Sequence, residues 1–186
     1  NKSTKSKRRG GGTMLAAIHA QDFIDDREMY PEGEILSLDD WWRQKAGGWI
    51  EDIENTPENL LDAYAEVKRT LSKMESNRTG LVHADITAST RVSHGGDLYI
   101  IDWEFARFMP RPEMWMAWPL AHEKVSSEDF SPATQAYAKE SRLSEPVLQD
   151  SIQVGKRMLS VFAAISLARR YSSEDPKVAD YLSEDF

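Results

Sequence analysis

Two aspartates, Asp85 and Asp102, stand in the stretch LVHADITASTRVSHGGDLYIIDWEF over residues 81–105. An apolar run precedes each, Leu81-Val82 before the first and Leu98 to Ile101 before the second. The segment between them reads as a β-hairpin, with His94-Gly95-Gly96-Asp97 as its turn. A hairpin brings its strand ends together, so the two acids are expected at one end of it, facing the same cleft. Carboxylates so placed suit the transfer of a phosphoryl group from a nucleotide to a hydroxyl. One acid orients the attacking hydroxyl and accepts its proton, while the other holds a magnesium ion that bridges the leaving phosphates. Asp85 takes the first role in this reading and Asp102 the second. A side-chain oxygen five residues after the base commonly completes the metal shell, and Thr90 occupies that place. His83, two residues before Asp85, belongs to the same catalytic loop, in a place that suits bracing better than reacting. The plainer reading is that Asp85 caps a turn and Asp102 ends a strand. The pair, correctly spaced and each with an apolar strand before it, favours the site.

The elements that must position these residues follow from the hydrophobic period. TMLAAIHAQDFI carries Met14, Ala17, Ile18 and Ile24 at helical spacing, with Thr13 as its cap. SLDDWWRQKAGGWIEDI predicts a second helix from Ser37, with Asp39 and Asp40 in the first turn where the dipole favours acids. Its Trp41, Trp42 and Trp49 read as core or groove-lining residues rather than a platform for bases. A third helix is predicted with Thr56 as cap and Pro57 at the first helical position, with Leu60, Leu61, Tyr64, Val67, Leu71 and Met74 repeating at helical spacing. Then the period changes: GLVHA, TRVS and LYIIDW read as three short strands. From about residue 112 the chain returns to helix, with starts at Ser131-Pro132, Ser144-Glu145-Pro146 and Asp175-Pro176, the middle one running to about Tyr171. The fold class is therefore mainly α with a small β-hairpin element (α+β), in one domain over residues 13–186.

Composition narrows the function classes. The chain has 186 residues, 40% of them hydrophobic, enough for one core but not comfortably for two. Its lack of cysteine excludes disulfides and thiolate metal sites. No run approaches the ~18 apolar residues of a membrane span, and no apolar stretch near the start suggests a secretory signal. The cytoplasm is the expected address, and Asn77-Arg78-Thr79 is read as a chance glycosylation match. The formal charge of −8 conceals an asymmetry: Lys2, Lys5, Lys7, Arg8 and Arg9 are basic, and no acid precedes residue 22. Setting those five aside leaves 18 basic residues against 31 acidic ones. A body this acidic repels nucleic acid and favours cationic small molecules or basic partners. Residues 1–12 read as a disordered basic tail or linker.

LVHADITASTRVSHGGDLYIIDWEFARFMPRPEMW resembles the catalytic core of the aminoglycoside phosphotransferase and choline kinase superfamily. There the loop reads His-Gly-Asp, four residues, Asn, and later Ile-Asp-Trp/Phe-Glu. The tail IDWEFARFMPRPEMW is similar to the fungal-type phosphotransferase enzyme family, and MLAAIHAQD resembles the helix that opens the C-terminal lobe. The resemblance covers roughly residues 13–120, and the later helices fit the helical end of that lobe. It implies the C-terminal, substrate-binding lobe of a protein-kinase-like fold, with ATP as phosphoryl donor and Mg2+ as cofactor. By position it makes Asp85 the catalytic base and Asp102 the magnesium aspartate, and it makes Glu104 an acid that assists the metal or braces the loop. Thr90 falls on the metal-binding asparagine. Three departures stand out. Ala84 replaces the motif glycine. Thr90 replaces asparagine with a shorter hydroxyl, although the related methylthioribose kinases carry serine there. The N-terminal lobe, with its phosphate-covering loop and nucleotide-positioning lysine, is not found in these residues, and is expected upstream or on another chain.

The leading expectation is an ATP- and magnesium-dependent phosphotransferase acting on a hydroxyl of a small, cationic or sugar-like molecule. The competing one is a degenerate kinase-like domain serving as a binding or interaction module. A third is a kinase-like scaffold reused for other chemistry in the same groove. His19, His94 and His122 lack metal-ligand spacing. Arg107 and Arg111 could meet a phosphate near Asp102, but read more simply as salt-bridging surface arginines. Asp25, Asp26, Glu28, Asp39 and Asp40 could line a pocket for a polycation, with a solvated helix face as the plainer reading.

Overall fold

The computed structural model describes residues 14–20, 37–74, 78–86, 89–95, 97–104, 106–118 and 127–183. The basic tail read over residues 1–12, the acids Asp25, Asp26 and Glu28, and His122 lie outside the described residues. Helix α1 covers residues 14–19. Helix α2, Leu38–Trp42, passes through a π-turn at Arg43–Gly47 into α3, Gly48–Glu51. Ser37 caps α2 as its sequence predicts, its hydroxyl accepting the Asp40 N–H at 3.0 Å. The expected single helix is widened at the π-turn, where the chain passes close to α4, Glu58–Leu71. A Cβ on Gly47 would stand 2.8 Å from the Tyr64 hydroxyl.

The start of α4 lies one residue later than its sequence suggests, with Pro57 as the extended cap. Proline has no N–H to satisfy, so that place suits it. The Thr56 hydroxyl instead donates to the Ile53 carbonyl at 3.0 Å, closing the turn after α3.

Four strands follow rather than three, in two antiparallel pairs. Strand β1, Thr79–Val82, pairs with β4, Arg107–Pro110, and β2, Arg91–His94, pairs with β3, Asp97–Ile100. The β1–β4 register sets Val82 opposite Arg107, and the hairpin register sets Arg91 opposite Ile100. ARFMP lacks the alternation of a half-buried strand, so β4 carries no clear signal, and it pairs only because β1 offers a free edge. Strand β3 stops at Ile100 rather than reaching Trp103, because Asp102 takes φ +68°, a left-handed conformation that ends an extended run.

A 3-10 helix, Pro112–Ala117, leads toward α5, Ser127–Ser141, which begins four residues before the Ser131-Pro132 start read from sequence. Helices α6, Glu145–Arg170, and α7, Pro176–Leu182, match their sequence signals, with Ser144 and Asp175 as caps. Helix α6 is the spine of the core. Gly155 on it lets the Met114 carbonyl approach to where a Cβ would stand only 2.2 Å away. Around this contact Trp42, Leu60, Met109, Met114, Met116, Leu148, Met158, Leu159 and Ile165 are fully buried. Arg157 ties three helices together, bonding Glu66 of α4 at 2.9 Å and the Leu182 carbonyl of α7 at 3.0 Å. The tryptophans serve the core: Trp41 and Trp42 are buried, and Trp49 stacks on Phe162 at 4.7 Å. The architecture is mainly helical around a small β element, as read from the sequence. Among the described residues no helix is long and apolar enough to cross a membrane.

Candidate active site at the open end of the hairpin

Strand β1 ends at Val82, buried in the core, and delivers His83, Ala84 and Asp85 to the mouth of the β2–β3 hairpin. His83 is itself buried. Its Nε2 lies 2.9 Å from the Ile101 carbonyl, which can only accept, so Nε2 carries the proton. Nδ1 is then bare and accepts the Asp85 N–H at 3.3 Å. The ring also meets Trp103 edge-on at 4.8 Å. Both nitrogens of His83 are thus engaged by backbone, and the side chain fixes the loop to the segment that carries Asp102.

Thr90 works in the same direction. Its side chain is buried, and its hydroxyl donates to the Asp85 carbonyl at 3.2 Å. Its own carbonyl accepts the Ile101 N–H at 3.0 Å, adding a backbone bond just beyond the Arg91–Ile100 pair. Ile101 is therefore the junction: its N–H is held by Thr90 and its C=O by His83. Asp102 follows immediately, solvent-exposed, with Trp103 anchored by an indole N–H donated to the Ile100 carbonyl at 2.8 Å. Glu104 is exposed beyond it.

Two backbone torsions mark this place. Ala84 sits at φ +64° and Asp102 at φ +68°, both in the left-handed region that glycine adopts without penalty. Ala84 carries the expected departure from the motif glycine, but keeps the conformation a glycine would take.

The donors near the loop are carboxylate and hydroxyl oxygens, which suit magnesium in kind. Among the described residues no group of three or more His, Asp and Glu comes together tightly enough to cage a metal ion. A magnesium ion usually keeps several waters and takes one or two carboxylates together with donor phosphates, so the set fits that mode of binding. Asp102 and Glu104 have the exposure it requires. Thr90 fits less well as a ligand, because its hydroxyl hydrogen is committed to Asp85 and its oxygen is buried.

The remaining sequence candidates lie in other roles. Arg111 pairs with Glu113 at 3.2 Å and donates to the Ser151 hydroxyl at 2.7 Å, a half-buried structural position rather than a surface one. Asp40 accepts the Ser37 hydroxyl at 2.8 Å and pairs with Arg43, and together these hold its carboxyl below the usual aspartate range. His94 is exposed on the hairpin. His19 is buried, its Nδ1 2.8 Å from the Tyr137 hydroxyl; burial, helped by the charge of Arg78, pulls its pKa down to about 3. Sequence reasoning did not find the junction at Ile101, since a backbone carbonyl leaves no mark in side-chain pattern. It also did not find Trp115, which lines a small cavity behind the loop with Asp85 and His19.

No family model and no curated protein matches the sequence. Solved structures do match the fold. The macrolide 2'-phosphotransferase of Brachybacterium faecium superposes with TM-score 0.64 at 18% identity, over 98% of this chain and 62% of its own. The choline kinase of Streptococcus pneumoniae gives TM-score 0.67 at 17% identity, over 97% and 65%. An aminoglycoside phosphotransferase with ADP bound gives 0.61 at 15%, over 98% and 64%. The chain thus spans a little under two thirds of the length of these proteins. Over 97–98% of its length the chain shares the fold of these phosphotransferases and of the choline kinase, across that part of theirs.

Proposed function

We propose that this chain is the C-terminal, hydroxyl-binding lobe of an ATP- and magnesium-dependent phosphotransferase for small molecules. The observation that carries the reading is the buttressed loop: His83 and Thr90 together fix Asp85 to Ile101, the residue before Asp102. Asp85 serves as the base that orients the acceptor hydroxyl and takes its proton. His83 and Thr90 hold the loop while this happens, and neither meets the substrate in this assignment. Asp102 and Glu104 are the residues that would hold magnesium, with Thr90 offering at most a lone pair. The ion, when bound with ATP, neutralises charge on the phosphates during transfer. Tyr99, Ile101 and Trp103, close to Asp102 in the chain, are each exposed apolar side chains, suited to burial under the nucleotide base or under further polypeptide. The excess of acidic over basic residues in the body favours a cationic acceptor.

The test is phosphate transfer by the full-length protein and its Asp85→Asn variant, over a panel of hydroxylated amines and sugars. An amide cannot accept the proton, so turnover is expected to fall on the order of 10²-fold or more. Equal turnover in the two proteins would end the catalytic assignment. A second reading, a kinase-like binding module without transfer, draws on Ala84 at the glycine position and on the Thr90 hydroxyl turned to the backbone. It predicts ligand binding with no phosphate transfer to any of the panel.

A further inference from the structure

Behind the catalytic loop lies a cavity of about 10 Å3, lined by Asp85, His19 and Trp115 among others. The Trp115 indole N–H is buried and has no hydrogen-bond acceptor among the described residues. A buried donor left in that state costs stability, and native structures rarely leave one so. The volume is close to what a single water centre requires, on the order of 10 Å3, and a water there needs two to four polar partners.

The tautomer of His19 supplies the second partner. Tyr137 is wholly buried, and burial raises its pKa above the usual tyrosine range, so its hydroxyl keeps its proton. Its one described hydrogen bond is to His19 Nδ1. If Tyr137 accepted in that bond, its own hydrogen would have no partner in the interior. It therefore donates, Nδ1 accepts, and the neutral imidazole carries its hydrogen on Nε2. His19 and Trp115, each carrying an N–H donor, thus both line this small cavity, and Asp85, His83 and Trp118 line it with them.

We propose that this cavity holds one ordered water molecule, which accepts from Trp115 Nε1 and His19 Nε2 and donates to the Asp85 loop. With both lone pairs occupied, the water has only hydrogens left to offer, and Asp85 is the acceptor beside it. Trp115 is thereby a positioning residue for Asp85, acting through the water. The positioning role rests on the proposed phosphotransferase reading; the water site itself does not.

The experiment has two arms. In high-resolution crystals of the full-length protein, one solvent peak is expected within hydrogen-bond distance of Trp115 Nε1, and Trp115→Phe should lose it. In transfer assays Trp115→Phe should lower kcat about fivefold to tenfold, as loss of one oriented hydrogen bond implies, while KM stays within about twofold. A map that shows other internal waters but none in this cavity overturns the proposal outright, whether or not the protein transfers phosphate. A folded Trp115→Phe variant that lacks the peak but turns over like the parent overturns the positioning role. If Trp115→Phe does not fold, the parent map still decides the site. If no acceptor is ever phosphorylated, the reading of function fails and the crystallographic arm still stands.

Discussion

Ala84 offers the most direct measure of strain in the loop that carries Asp85. An alanine held in the left-handed region costs about 1–2 kcal/mol, and at φ +64° this residue bears that cost. Glycine would remove it but would lose about 0.5–1 kcal/mol more backbone entropy on folding. The Ala84 methyl is half-buried against the core, and its loss costs half of the ~0.8 kcal/mol assigned to a buried methylene. Ala84→Gly is therefore expected to be close to neutral, gaining roughly 0.4 kcal/mol. Gly95 calibrates the estimate, because it has φ +62° and a Cβ there would meet nothing within 4 Å. Gly95→Ala incurs the same torsional penalty without packing, and should lose about 0.7 kcal/mol. Urea unfolding of the two variants should thus place them on opposite sides of the parent, about 1 kcal/mol apart. Since bonds from His83 and Thr90 hold the Asp85 backbone, Ala84→Gly should leave turnover within about twofold. If Ala84→Gly proved less stable than Gly95→Ala, the strain account would be wrong, and packing of the methyl would be the stronger effect.

Two further outcomes follow from groups described above. His19 has a folded pKa of about 3 against 6.5 unfolded, so only the unfolded chain takes up this proton between those values. Its contribution to stability is fully present above pH 6.5 and is lost as pH falls toward 3, at up to about 1.4 kcal/mol per pH unit; an NMR titration showing His19 protonated at pH 5 in the folded protein would refute this. Thr90→Val keeps the shape but removes the bond to the Asp85 carbonyl, so it should cost about 1 kcal/mol and about 3 °C of melting temperature. Thr90→Ser should retain most of that stability, and equal melting temperatures for valine and parent would show that the hydroxyl braces nothing.

The helices were legible because their signals are local. Ser37, Ser144 and Asp175 cap where a polar side chain precedes an apolar period, and α6 keeps its buried face over 26 residues. The signals failed where the partner was distant. Nothing within ARFMP announces β4, since what makes it a strand is the edge of β1, and a helix that begins at Ser127 is hidden by the stronger punctuation of Ser131-Pro132. The nearness of the Asp85 loop to the segment before Asp102 could be read because a hairpin constrains its own ends. The roles of His83 and Thr90 as props were only half visible, because spacing shows that a residue is near and does not show which backbone atom it holds.

The positions of strain bear on whether the site works or has decayed. Five described residues other than glycine have positive φ, and two of them, Ala84 and Asp102, flank the junction at Ile101. Such torsions persist only where surrounding bonds over-determine them. Here the bonds are identifiable: His83 to Ile101, Asp85 to His83, Thr90 to Asp85, and Ile101 to Thr90. A hairpin kept only for its fold has no need of Asp102 in a left-handed conformation, because an extended residue there would simply lengthen β3. The cost is consistent with a constraint on where the carboxylate must stand. That argument separates geometry from chemistry in the Asp85→Asn variant. The asparagine keeps the backbone N–H and C=O that His83 and Thr90 hold, so its unfolding free energy should stay within about 0.5 kcal/mol of the parent. A working site would then lose its turnover while the loop remained intact, whereas a site retained for structure alone would show no change in either.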